Sequence, residues 1–181
     1  MPYFVLAPPF VFCSDNRLKM LSSDSGRLIK RKVRTPYQVF AEPIVADIRY
    51  KTDTRITPAE FIDVLRRSTL ADRRPVEDRE CIALMLQHAD LLVTAWLGET
   101  LVGVARSVTD FGYCCYLSDL AVDASLQRSG IGRQLVRLTK EQLGPKCNLI
   151  LLSAPGASSY YAHIGFERHP SAWVLHARQN V

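Results

Sequence analysis

The chain has 181 residues, of which 48% are hydrophobic and 23% are charged. This length fits a single domain and is sufficient to bury a core without disulfide or metal cross-links. Because no run of about 18 apolar residues occurs, we expect no membrane-spanning helix, and the apolar beginning lacks the features of a secretory signal. The five cysteines show no metal-ligand spacing, which predicts no metal site and mostly buried, reduced thiols in a cytoplasmic protein.

The net charge of +5 originates in the N-terminal segment. Residues 1–40 contain seven basic and two acidic side chains, whereas the remaining residues contain sixteen of each sign. We therefore expect residues 1–41 to form a basic, flexible arm that is solvated rather than bound to nucleic acid or a membrane. Residues 42–181 form the predicted folded domain.

Strands and helices alternate through that domain. Thr57, Pro58 and Glu60 predict the start of a helix, because Thr57 can cap it and Glu60 completes a capping box. The element order is β-α-α-β-β-β-α-β-α-β(-β), which is typical of an α/β protein with a mixed (α+β) sheet. After a first strand at 42–50 and this helix, the patterns predict helices at 76–88, 130–143 and 157–164, strands at 91–97, 101–108 and 113–122, a buried strand at 147–153, and a last strand or hairpin that includes Phe166 and residues 173–177.

A glycine-containing turn separates the strand at 113–122 from the helix at 130–143. The turn reads Gln127-Arg128-Ser129-Gly130-Ile131-Gly132. Two glycines allow backbone N–H groups to converge, the helix start adds partial positive charge, and Arg128 and Arg133 add full charges. This combination predicts a cradle for a diphosphate, with an ordinary tight turn as the alternative. The spacing matches neither a Walker motif nor a Rossmann fingerprint, which disfavours nucleoside triphosphatases and dinucleotide dehydrogenases.

The same turn resembles the Gln/Arg-x-x-Gly-x-Gly/Ala signature of the GNAT superfamily of acetyl-CoA-dependent N-acetyltransferases. Asp119 to Val122 resembles the central strand of that family, and Tyr160 to Phe166 resembles its second signature, an aromatic residue followed by Tyr-x-x-x-Gly-Phe. Both signatures occur in the family's order, and the resemblance extends over residues 42–177. It implies a GNAT-like fold in which the strands at 113–122 and 147–153 splay apart.

The resemblance implies that acetyl-CoA lies between these strands as the acetyl donor, without a metal ion. In the family, the pantetheine arm pairs with the central strand and the diphosphate binds N–H groups of the turn. Ser158 is a candidate contact because the asparagine that many relatives carry is replaced by Ala157 in this sequence. The implied cofactor-binding residues are Leu120, Ala121, Val122, Gln127, Arg128, Ser129, Gly130, Ile131, Gly132, Arg133 and Ser158.

The resemblance also implies two catalytic residues. Tyr161 matches the tyrosine that protonates the departing thiolate of CoA, and a phenol with a pKa near ~10 suits that role. Asp119 is the leading candidate for the base or for holding a cationic acceptor, with a structural salt bridge as the alternative. His163 and His169 are second-choice bases, and Tyr160 is expected to be a core residue.

The implied function is transfer of an acetyl group to a primary amine, on a small molecule or a protein, by direct attack in a ternary complex. The short run 165–170 is similar to plastid-type acetyltransferases that act on arylalkylamines and protein amines. The alternative is a non-catalytic acyl-CoA sensor that uses the basic arm to bind nucleic acid or a partner. Relatives are often dimers, so a homodimer is compatible with the sequence.

Trp173 is expected in the core, and Phe111, Tyr113 and Tyr116 in a pocket or the core.

Overall fold

The computed structural model describes residues 47–52, 54–177 and 179, so the predicted arm at 1–41 lies outside the described residues. Its five-stranded sheet orders the strands as they follow in the chain. The first four strands are antiparallel neighbours, and the fifth runs parallel to the fourth. They are β1 (Ile48–Lys51), β2 (Leu91–Leu97), β3 (Thr100–Thr109), β4 (Cys114–Val122) and β5 (Asn148–Ile150).

Four α-helices occur in the described part of the chain, and none of them is long and apolar enough to span a bilayer. Short 3-10 turns precede α2, α3 and α4 in the sequence. The helices are α1 (Pro58–Arg67), α2 (Arg79–Gln87), α3 (Ile131–Glu141) and α4 (Ser158–His163), and the 3-10 turns are Leu70–Arg73, Ala124–Leu126 and Pro155–Ala157. This order confirms the predicted mixed α/β fold up to the last helix.

Side-chain caps determine where the first two helices begin. The Thr57 hydroxyl accepts from the backbone N–H of Glu60 at 3.2 Å, and the Glu60 carboxylate accepts from the backbone N–H of Thr57 at 2.7 Å, which confirms the predicted capping box. The second helix begins at Arg79 rather than near residue 76, because the Asp78 carboxylate accepts from the N–H of Cys81 and caps the helix there.

Helices cover both faces of the sheet and divide the core into two clusters. On one face, α1 and α2 bury Phe61, Leu65 and Ile82 against the sheet. On the other face, α3 buries Ile131 and Leu135, which are four residues apart and therefore lie on one stripe of the helix. Burial on both faces fixes the sheet between the helices, so the ends of its strands are held in defined positions.

An ion pair ties α1 to the end of β4. Arg67, the last residue of α1, donates to Asp123, which directly follows β4, and also to the carbonyl of Leu101 in β3. Asp123 further accepts from the backbone N–H of Ser125 at 2.9 Å. Burial tends to raise the pKa of Asp123, but the hydrogen bonds from Ser125 and the Arg67 charge outweigh this effect and lower the pKa.

The C-terminal part differs from the sequence prediction. The strand expected at 147–153 is only three residues long and is partly exposed, because it is an edge strand that leaves β4 after Ile150. The expected last strand is absent from residues 164–177, where Pro170 lacks a donor and β5 offers only a short edge for pairing. Trp173 is therefore 94% exposed, which shows that the prediction of a core position was wrong.

The described cysteines and the remaining aromatic residues differ in how far they are exposed to solvent. Cys114 is exposed and Cys115 is buried, as expected for neighbours on a strand. Phe111, Tyr113 and Tyr116 are all exposed, so they do not belong to the core. Within the described residues, no group of three or more His, Cys, Asp or Glu side chains could hold a metal ion.

Candidate active site

A V-shaped slot opens where β4 and β5 separate. The parallel ladder consists of three residue pairs and ends at Tyr116 and Ile150. β4 continues to Val122 along β3, whereas the chain after Ile150 no longer follows it. Among the described residues, the edge of β4 from Leu117 to Val122 therefore lacks a strand partner on the β5 side, which confirms the splayed central strands. Unpaired backbone groups of this kind can bind an extended ligand by adding to the sheet edge.

The glycine-containing turn lies at the far end of this slot. Arg128 and Gly130 both adopt positive φ angles, of 63° and 91°, and Gly130 occupies the N-cap position of α3. The Gln127 side-chain amide donates to the carbonyl of Val122 at 3.2 Å and links the turn to the end of β4. Ser129 donates its hydroxyl to the carbonyl of Leu126, which closes the turn. The N-terminus of α3 is thereby held directly after the unpaired strand.

The N-terminus of α3 is free to bind an anion, in contrast to that of α1. Thr57 and Glu60 satisfy the first N–H groups of α1, whereas α3 has no side-chain cap and no acidic residue in its first turn. The first N–H groups of a helix need an acceptor, and they favour negative charge. Arg128 and Arg133 are exposed beside them and form no ion pair with any described residue. As far as the described residues go, the turn therefore combines unsatisfied backbone donors with uncompensated positive charge.

The hydroxyl of Tyr160 is buried against this turn without a hydrogen-bond partner among the described residues. A Cβ atom at Gly132 would lie 2.6 Å from that hydroxyl, so only glycine fits there without displacement. Burial raises the pKa of the Tyr160 phenol, and the nearby Arg133 charge acts in the opposite direction. An unpartnered buried hydroxyl costs about 1–3 kcal/mol, and a phosphate oxygen bound at the helix N-terminus would relieve this cost. The residues present therefore fit the diphosphate of CoA.

Tyr161 lies next to Tyr160 on α4 and is held by aromatic neighbours. Its ring centroid is 5.3 Å from that of Tyr160 and 5.6 Å from that of Phe166, with edge-to-face geometry in both cases. Burial raises the pKa of the Tyr161 phenol, Tyr160 also raises it, and the charge of Arg74 lowers it. The net increase keeps the phenol protonated at neutral pH, as a proton donor requires.

Asp119 lies in the interior rather than in the open slot. Its side chain is fully buried, and one carboxylate oxygen accepts from Nε of Arg74 while the other accepts from Nε of Arg106. Arg106 also donates to the Ser118 hydroxyl at 2.7 Å, and Arg74 donates to the Ser118 carbonyl at 2.6 Å. With both oxygens occupied by guanidinium groups, Asp119 is placed as the salt bridge that was the alternative interpretation, and the geometry does not support a role as base.

A bulge in β4 explains this orientation. Arg106 pairs with Asp119 and Ser107 with Leu117, so Ser118 is an extra residue without a counterpart in β3. An extra residue reverses the alternation of the side chains that follow it. Leu117 packs in the cluster beneath α3, whereas beyond the bulge Ala121 packs in the cluster beneath α1 and α2. Asp119 shares the direction of Ala121 and consequently meets Arg74, which lies between α1 and α2.

The other predicted site residues are either strand residues that border the slot or exposed residues of the C-terminal part. The strand residues Leu120 and Val122 are partly buried and Ala121 is buried, all on the stretch of β4 that borders the slot. Ser158 is exposed in the first turn of α4. His163 and His169 are both exposed, and His169 accepts from the backbone N–H of Ser171 through Nδ1.

Sequence reasoning missed three residues of the site. No sequence pattern singles out Arg74 between its two helices, or Arg106 within its strand. Their pairing with Asp119 connects positions 45 and 13 residues apart, and no local pattern signals such a contact. Tyr160 was assigned to the core, although its position beside the second signature tyrosine could have indicated a contact with the same ligand.

Comparisons with known proteins agree with this geometry. Residues 72–174 match the family model described as an acetyltransferase (GNAT) domain. The chain is 31% identical over 120 residues to the GCN5-related N-acetyltransferase 1, chloroplastic, of Arabidopsis thaliana. The aligned region covers 64% of this chain and 61% of that protein. It therefore spans less than two thirds of the length of this relative.

Solved structures of acetyltransferases share the fold. A GNAT-family acetyltransferase of Streptococcus pneumoniae superposes with a TM-score of 0.57 at 19% identity, over 73% of this chain and 99% of that one. An aminoglycoside acetyltransferase from an uncultured soil metagenomic sample, in complex with sisomicin, gives a TM-score of 0.54 at 19% identity, over 76% and 99%. The family model covers more than half of the chain. The chain therefore belongs to the GNAT family of acetyltransferases.

Proposed function

We propose that this protein transfers the acetyl group of acetyl-CoA to a primary amine. The observation that carries the proposal is the position of the uncapped N-terminus of α3, with the unpartnered hydroxyl of Tyr160 beside it, at the end of the slot between β4 and β5. The cradle fits a diphosphate, and the unpaired edge of β4 fits an extended, amide-containing chain. CoA contains both groups in that order, and its acetyl thioester supplies the reactive carbonyl.

Each part of the site has a role in this proposal. The N–H groups from Arg128 to Arg133 and the hydroxyl of Tyr160 bind the diphosphate, and backbone groups of Leu120 to Val122 pair with the pantetheine arm. A backbone N–H near Leu120 polarises the thioester carbonyl, as in an oxyanion hole. The neutral amine attacks this carbonyl, the bond between carbon and sulfur breaks, and the Tyr161 phenol protonates the departing thiolate. The proton that the amine nitrogen loses passes to solvent, and solvent reprotonates the Tyr161 phenolate.

Titration calorimetry and a thiol-release assay test the two halves of the proposal. Acetyl-CoA should bind the protein in the absence of any amine, and addition of a panel of primary amines should release free CoA thiol. An absence of binding heat would overturn the proposed donor. Binding without release of thiol for any amine would instead favour the non-catalytic acyl-CoA sensor.

Replacing Tyr161 by phenylalanine tests the proton donor. General acid catalysis contributes about 10²–10⁴-fold to a rate, so we expect Tyr161→Phe to lower kcat by at least about 100-fold. Affinity for acetyl-CoA should change little, since the ring and its packing against Phe166 remain. Tyr113→Phe is the matched control, because that tyrosine is 70% exposed outside the slot. Unchanged kcat in Tyr161→Phe would remove this residue from the acid role.

A further inference from the structure

The buried ion cluster beside the slot has an excess of positive charge. Two guanidinium groups, from Arg74 and Arg106, share the single carboxylate of Asp119. The side chain of Asp119 has no exposed surface and that of Arg106 is 7% exposed, whereas that of Arg74 is 21% exposed. Within the part of the chain that the structure describes, the uncompensated charge is therefore accessible only through Arg74. Buried or half-buried charge favours an opposite partner.

Arg74 also retains donors that no described residue accepts from. A guanidinium group has five N–H bonds, and Arg74 directs three of them to Asp119, to the carbonyl of Arg73 and to the carbonyl of Ser118. One N–H on each terminal nitrogen is left without an acceptor among the described residues. Two such donors on a planar cation suit a carboxylate group.

The location of Arg74 connects these donors with the proposed chemistry. Ser118, whose carbonyl it contacts, lies just beyond the last residue pair of β4 and β5, where the slot begins. The charge of Arg74 also acts on the phenol of Tyr161, whose pKa it lowers against the effect of burial. Arg74 belongs to the segment between α1 and α2, so it approaches the slot from a different element than the proposed CoA-binding turn.

We propose that Arg74 binds a carboxylate of the acceptor, and that the enzyme selects small amines with an acidic group close to the nitrogen, such as free amino acids. This inference rests on the proposed function. Amines with several positive charges are disfavoured, because the acidic residue expected to attract them, Asp119, is already neutralised by two arginines. Arg74 is thus a specificity-determining residue, and Asp119 positions it.

Three compounds that differ only at one substituent test the inference on the unmodified protein. Phenylalanine carries the carboxylate, phenylalanine amide keeps the shape without the charge, and phenethylamine lacks the group. Charge-assisted hydrogen bonds are strong enough to discriminate by about 10- to 100-fold, so we expect kcat/KM to favour phenylalanine over the other two by at least about tenfold. Equal values, or a preference for phenethylamine, would overturn the inference.

Variants locate the discrimination in Arg74. Arg74→Met should abolish the preference for the carboxylate mainly through a higher KM, and Arg74→Lys should retain part of it because a single point charge remains. Arg66→Met is the matched control, since Arg66 pairs with Glu77 on the exposed surface of the same region. A preference that survives in Arg74→Met, in a protein that still binds acetyl-CoA and melts cooperatively, would assign it to another residue.

A binding experiment separates failure of this inference from failure of the proposed function. Calorimetric titration of the protein–CoA complex with the same three compounds reports the discrimination without any turnover. Stronger binding of phenylalanine supports the inference even if no thiol is released, in which case only the acetyl transfer is refuted. Thiol release from acetyl-CoA without a preference in binding or rate refutes the inference alone.

Discussion

Replacement of Gly132 by alanine tests how closely Tyr160 packs against the first turn of α3. A Cβ at this position would lie 2.6 Å from the Tyr160 hydroxyl, far inside an ordinary contact, and 3.5 Å from the ring carbon that carries it. Overpacking costs about 1–3 kcal/mol, whereas alanine in place of glycine in a helix gains about 1 kcal/mol. We therefore expect Gly132→Ala to lower the free energy of unfolding by up to about 2 kcal/mol.

Removal of the Tyr160 hydroxyl should reverse the sign of this effect. In Tyr160→Phe, the nearest remaining ring atom to the new Cβ is at 3.5 Å, an ordinary contact, so the helix preference of alanine is no longer opposed. Gly132→Ala should then be neutral or stabilising by up to about 1 kcal/mol. Urea unfolding of the parent, both single variants and the double variant gives the coupling energy, which we expect to be about 1–3 kcal/mol.

Gly130→Ala provides the control for this double-mutant cycle. Gly130 has a φ of 91°, and no atom lies within 4 Å of a Cβ added there. The alanine variant should therefore lower the free energy of unfolding only through backbone strain, by about 1–2 kcal/mol. That cost should be the same with tyrosine or phenylalanine at position 160. If Gly132→Ala likewise costs the same in both backgrounds, the hydroxyl does not occupy the space in front of Gly132, and its assignment as a diphosphate donor loses its basis.

Two further predictions concern the framework that holds the site. Thr57→Ala removes the N-cap of α1, whose hydroxyl accepts from Glu60 at 3.2 Å, and should lower the free energy of unfolding by about 1 kcal/mol in urea denaturation. Asp123→Asn should destabilise the protein at neutral pH. Because the folded pKa of Asp123 lies below its ordinary value of 3.8, its stabilisation is present above that pH and is lost as the pH falls through the folded pKa. The stability difference between parent and Asp123→Asn should therefore vanish in acid, and a constant difference down to about pH 2 would contradict this assignment.

Local signals determined most of the element order. Thr57 and Glu60 are three residues apart, so their reciprocal hydrogen bonds depend only on the first turn of α1. The same holds for Gly130 at the start of α3, where a positive φ favours glycine. Predictions failed where the outcome depended on pairing partners. The last strand was expected from its apolar residues, but it had no sufficiently long edge to join after β5 ended at Ile150.

The sequence by itself determined the family, the order of strands and helices, and the turn proposed to hold the diphosphate, because each depends on residues that are neighbours along the chain. Only the tertiary structure decided the environment of Asp119. The bulge at Ser118 turns this carboxylate towards the α1–α2 face, where Arg74 and Arg106 arrive from distant positions. A strand's register and the meeting of remote charges depend on how the whole sheet packs, and for this reason the sequence pattern could not reveal whether Asp119 would face a ligand or an arginine.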